Sequence, residues 1–119
     1  MENNRLKEAQ NSLEFWQNKL NMGDWSLSVK LVDFDRADYI QTGDFKVGSE
    51  REAVILISKT PTDKDIHGVI LHELVHVLLW KMDDFSERYI GPKHRNRYME
   101  LLEETVDDLA NRIGMAIDM

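Results

Sequence analysis

With no cysteine anywhere in its 119 residues, the chain forms no disulfide and offers a metal no thiolate, so imidazole and carboxylate are its only strong ligands. Long apolar runs are missing too: no stretch of 18 or more residues could span a bilayer as a helix. The first residues, Met1-Glu2-Asn3-Asn4-Arg5, lack a signal-peptide pattern, and a cytoplasmic protein is expected. Positive charge is scarce. Lys and Arg number 15 against 22 Asp and Glu, and the resulting net charge of −7 disfavours nucleic acid as a partner. Proline is limited to two positions and glycine to six, and no linker, repeat or low-complexity segment stands out. One domain over residues 1–119 is expected, large enough for a real core but leaving only a shallow groove for any site.

Hydropathy patterning then places the elements. Leu6, Ala9, Leu13, Trp16 and Leu20 recur at three- and four-residue steps, which predicts an amphipathic helix over 3–21 that Gly23 stops. Trp25, Leu27, Val29 and Leu31 alternate with Ser26, Ser28 and Lys30, the period of a half-buried strand. Residues 33–38 read as an acidic loop, and 39–47 as a second strand interrupted by Gly43. The Gly48-Ser49-Glu50-Arg51 turn then leads into Ala53–Ser58, so a hairpin is expected. Ala53-Val54-Ile55-Leu56-Ile57 is apolar on both faces and should be the most buried strand, beneath the helix that follows. Thr60 as N-cap, Pro61 at the first helical position and an acid at the third predict a helix from about Pro61 to Lys81. Residues 83–90 read as a loop ended by Gly91-Pro92. A last helix runs from Pro92 or Lys93 to about Ile117, with Leu102, Val106, Leu109 and Ile113 as its inward stripe. The fold class is therefore α+β: an N-terminal helix, a small three-stranded sheet and two further helices.

The central helix contains Leu71-His72-Glu73-Leu74-Val75-His76-Val77, an HExxH motif in an apolar run. Residues four apart share a helix face, so His72 and His76 present two imidazoles to one point, half of a zinc site. Glu73 lies about 100° further round. From there it can take a proton from a water on the metal without being a ligand itself. Neutral imidazoles leave Zn²⁺ most of its charge, the bound water's pKa falls towards about 7, and a carboxylate accepts its proton. A shuffled chain of this composition would contain some HExxH roughly once in 100 trials. The uncharged neighbours Ile70, Leu74, Val75 and Val77 are what a buried helix requires; the plain alternative is that both histidines are ordinary helix residues.

On the HELVH motif, and at pattern level over most of the chain, the sequence resembles small zinc metallopeptidases of the zincin type, especially short HExxH proteins of phages and prophages. The resemblance implies a minimal zincin-like fold, a peptide or protein substrate laid along an exposed sheet edge, Zn²⁺ as cofactor, His72 and His76 as ligands and Glu73 as general base. In the gluzincin-like branch a downstream Glu on a helix is the third ligand. Glu103 is the acid on the last helix nearest the core, about 80° from the apolar stripe, whereas Glu104 points nearly the opposite way. Asp107 then follows in the Glu-xxx-Asp spacing in which the Asp supports a ligand histidine. A solvated Glu103 paired with Arg95 or Arg97 is the competing reading. In the branch resembling SprT-like proteases, His94 is the third ligand instead. Two non-catalytic readings remain: a closed structural zinc site drawing on His72, His76, His94 and Glu103, or a metal-free interaction module.

Overall fold

Ala9, Leu13 and Trp16 are the most buried side chains of α1 (Glu2–Lys19) in a computed structural model that describes residues 2–34, 41–49, 51–62 and 64–118. The three- and four-residue spacing therefore does mark the core face of this helix. Its end is set by Asn21 rather than Gly23. Asn21 takes φ 55°, a left-handed conformation Asn tolerates better than most residues, while Leu20 N–H donates to Trp16 O and Met22 N–H to Gln17 O. Gln17 Nε2 then donates to the carbonyls of Met22 and Trp25, tying the helix end to the start of the sheet.

Three strands form a mixed sheet in the order β1-β3-β2: β1 (Ser26–Val32), β2 (Gly43–Val47) and β3 (Glu52–Ser58). β1 runs parallel to β3, and β2 pairs antiparallel with it, Val47 opposite Ala53 and Gly43 opposite Ile57. The expected hairpin is present, with Arg51 taking the positive φ, 65°, that the turn requires. β3 is the central and most buried strand. Ala53, Ile55 and Ile57 are fully buried, while Val54 and Leu56 on the other face are half-buried. The second strand begins at Gly43, and most of the 33–40 stretch lies outside the described residues.

The expected helix from Pro61 to Lys81 is shorter, and a helix replaces the expected loop after it. α2 spans Ile66–Leu78. Ser58 Oγ donates to Thr60 O and accepts from Thr60 N–H, and Thr62 Oγ1 accepts from Lys64 N–H. These local bonds engage the Thr60 and Lys64 backbone before the helix begins, the usual competition of Ser and Thr with helix hydrogen bonding. Asp65 is the N-cap, in extended conformation. After Leu79 the chain turns directly into α3 (Trp80–Tyr89), over the residues expected as a loop. Hydrophilic as this segment is, its polar groups are engaged. Ser86, fully buried, donates to Asp83 O, and Arg95 reaches both Ser86 and Asp83, clamping α3 to the next helix.

α4 (Pro92–Asp118) starts and ends close to expectation. Its inward face is Leu102, Val106 and Ala110, with Met99, Ile113 and Ile117 partly buried against the core and Leu109 38% exposed. Relative to the expected stripe the buried face is turned by about 30°, towards the side on which Glu103 stands. Trp16 Nε1 donates to His67 O at 3.0 Å and fixes α1 against the first turn of α2. Ile70, Leu71, Leu74, Val75 and Val77 fill the space between sheet, α1 and α4. α2 is thus held on several sides. His72 and His76 lie on the flank that faces α4 and β2, where the groove described next opens.

Candidate metal centre

Burial of the apolar face of α2 turns His72, Glu73 and His76 towards a groove of about 800 Å³ between β2, α2 and α4. His72 is half-buried, while Glu73 and His76 are only 7% and 8% exposed. From α4, Glu103 reaches across to both histidines: its Oε1 lies 2.9 Å from His76 Nε2 and its Oε2 3.6 Å from His72 Nε2. One ligand atom from each of His72, His76 and Glu103 lies within 4.8 Å of the others, so this group can hold a metal ion. Two nitrogens and an oxygen around one cation at about 2.0–2.2 Å would stand about 3.4 Å apart in tetrahedral geometry, close to the two separations of Glu103 from the histidines. The arginines of the competing reading of Glu103 are engaged elsewhere, Arg97 with Glu100 and Arg95 with Asp83.

The other ring nitrogens are also placed. His72 Nδ1 lies 3.1 Å from Asp107 Oδ1. A hydrogen bond there fixes the tautomer that leaves Nε2 free for a metal, the support carboxylates commonly give to ligand histidines. Phe45 of β2 stacks on His76, with ring centroids 5.3 Å apart and planes at 17°. Burial holds the His76 imidazole below its ordinary pKa, with the Glu103 carboxylate pulling the other way. Low proton affinity suits a ring that must be neutral to bind a metal. His94, the alternative third ligand, is exposed on the first turn of α4 and does not belong to the group found among the described residues.

Glu73 has no place among these ligand atoms. Its carboxyl is pushed up to about 8, first by burial and then by the Asp44 and Glu103 carboxylates. A carboxyl whose folded pKa exceeds its unfolded value near 4.5 contributes stability at low pH, and that contribution is lost as pH rises towards 8. His76, shifted downward, acts with the opposite sign, but only below 6.5. Between pH 6.5 and 8 Glu73 is the shifted group that acts among the described residues, and metal-free protein should lose up to about 2 kcal/mol of unfolding free energy there. Urea titrations in chelator should show this slope for the wild type and a flat profile for Glu73→Gln; parallel profiles would mean that Glu73 ionises freely.

β2 is the edge strand beside the site. Thr42 O accepts from Ser58 N–H and Gly48 N–H donates to Glu52 O, which puts the even-numbered positions in register to bond β3. Gly43 and Phe45 therefore turn their N–H and C=O groups away from the sheet, towards the free edge. Side chains of the chain itself meet two of these groups: Gln41 Nε2 donates to Gly43 O at 3.2 Å, and Phe45 N–H donates to Asp44 Oδ1 at 2.8 Å. Gly43, Asp44 and Phe45 were not singled out by sequence as site residues. The available signal was Gly43 itself, since a glycine inside a strand often marks close backbone approach.

No protein-family model, no curated protein and no solved structure matches this chain.

Proposed function

We propose that the chain is a zinc-dependent peptide hydrolase of the zincin type, gluzincin-like in its ligand set, with a peptide or protein as substrate. One observation carries this reading: His72, His76 and Glu103 converge at a groove in which a buried carboxyl, Glu73, sits beside the donors without being one of them. Three protein donors facing a groove leave room for a reacting ligand, whereas a closed structural site needs four. Nitrogen and carboxylate donors without thiolate suit zinc. Zinc bound there would polarise the scissile carbonyl and acidify a water molecule at the site.

The remaining work falls to the chain's own residues. With the charge of a bound cation offsetting the burial that disfavours its ionised form, Glu73 would accept a proton from the attacking water and deliver it to the departing amine. Asp107 would hold His72, and Phe45 would hold His76, in the orientations that keep their nitrogens on the ion. An extended peptide would add to the free edge of β2 through the outward groups of Gly43 and Phe45, displacing the Gln41 and Asp44 side chains.

A mixture of unstructured peptides incubated with zinc-loaded protein should be cleaved, cleavage should stop with chelator, and one equivalent of zinc should restore it. Chelation should also lower the melting temperature by roughly 10–20 °C, because a ligand bound only to the native state at about 1,000 times its Kd adds about 4 kcal/mol. The metal-free protein should stay folded, since Trp16, Ile55, Ile57, Leu74 and Val106 pack a core that needs no ion. Unfolding by chelator at 25 °C would favour a structural zinc site, and absence of stoichiometric metal a metal-free interaction module.

A further inference from the structure

The geometry points to Gly43 as a positioning residue that sets how closely the free edge of β2 lies over Glu73. The inference rests on the hydrolase reading, because the spacing matters to chemistry only if a peptide pairs with that edge.

Gly43 opens β2 opposite Ile57, and its N–H and C=O face the free edge. A side chain there would point to the face of the sheet covered by α2, as Phe45 does two residues on when it meets His76. A methyl group at Gly43 would stand 2.6 Å from Val69 Cγ1, 3.3 Å from Glu73 Oε2 and 3.4 Å from Glu73 Cγ. The first contact is far inside van der Waals separation. Val69 is β-branched and in the first turn of α2, where one rotamer is strongly preferred, so moving its methyl aside is costly. Gly43 is not at positive φ, which leaves space, and not backbone conformation, as the reason for glycine. The same residue thus supplies outward pairing groups and, by having no side chain, a close approach of the strand to the carboxyl that would activate water. Any side chain larger than hydrogen would lift the edge, and a peptide paired to it, away from Glu73.

In Gly43→Ala the strand must retreat by about 1 Å, and kcat for peptide cleavage should fall roughly 100-fold, with KM and zinc affinity changed no more than about threefold. Gly43→Ala combined with Val69→Ala, which removes Cγ1, should bring kcat back to within roughly tenfold of wild type. Should the single variant be too unstable to assay, the double variant decides: folded, zinc-loaded and active supports the inference, folded and zinc-loaded without recovered kcat overturns it. Gly43→Ala at near wild-type kcat, or a loss carried by KM or by zinc affinity, also overturns it while leaving the hydrolase reading intact. Wild-type zinc protein that cleaves no peptide removes the hydrolase reading and this inference with it.

Discussion

Glu73→Gln should retain one zinc per chain and lose roughly 10²–10⁴-fold in peptide hydrolysis, the usual contribution of a positioned general base. Gln matches Glu in size, so the packing that leaves this side chain 7% exposed is kept while the proton acceptor is removed. The ligand atoms of His72, His76 and Glu103 are untouched. Metal content by mass spectrometry and cleavage of the best peptide substrate read the two effects separately. Losing the zinc along with the activity would make Glu73 a ligand or a structural prop; full activity would move the base elsewhere. The substitution should also raise the stability of metal-free protein at pH 8, because it deletes a carboxyl whose ionised form burial and the neighbouring Asp44 and Glu103 disfavour. A change that stabilises the fold and removes the reaction would fit a carboxyl held in place for chemistry.

Sequence periodicity located the elements well where one face is apolar and the other is not. α1, β1 and α4 follow from spacing alone, because burial of a stripe or an alternating face dominates their energetics; the hairpin followed from its turn residues and β3 from a run apolar on both faces. It failed at the ends of α2 and over α3. Thr60-Pro61 is a good helix start in isolation, but Ser58 competes for the Thr60 backbone, and the helix waits until Ile66. Met82, Phe85 and Tyr89 of Trp80–Tyr89 do recur at three- and four-residue steps, a helical signal that the loop reading passed over, but the stripe stays exposed; Arg95, a residue of another helix, completes its polar contacts. Long-range partners of that kind are invisible to a local reading.

The candidate site divides in the same way. His72, Glu73 and His76 were legible because one helix carries them, and helix geometry fixes their relation. Glu103 was reachable because α4 is long and regular enough to assign directions round its axis, and Asp107 because its spacing from Glu103 resembles that of the gluzincin glutamate helix. The 30° error in the inward direction, from counting Leu109 as buried, happened to understate how well Glu103 faces the histidines. Gly43 offered only the hint of a glycine inside a strand, and Asp44 and Phe45 were beyond reach: which strand forms the edge beside α2 depends on the order β1-β3-β2, which connection lengths do not dictate.

Glu103→Ala should weaken zinc binding by orders of magnitude, the largest effect expected of any change on α4. Among the described residues Glu103 is the one carboxylate that reaches the Nε2 atoms of both imidazoles, at 2.9 Å and 3.6 Å, and its removal leaves a two-nitrogen site open to water. Half of its side chain is exposed, so losing it should cost little packing, and any large effect will report on the metal. Asp107→Ala should act more weakly, about 10- to 100-fold in zinc affinity, since it reaches the ion only through His72 Nδ1. Glu104→Ala, on an exposed position one residue along, should do almost nothing, and His94→Ala the same. Competition with a chromogenic chelator ranks all four variants on one scale. A ranking in which His94→Ala strips the metal while Glu103→Ala keeps it would return the site to the SprT-like ligand set. Equal, small effects at every position would mean that the convergence of His72, His76 and Glu103 is an ordinary ion-pair cluster, with no metal for Glu73 to serve.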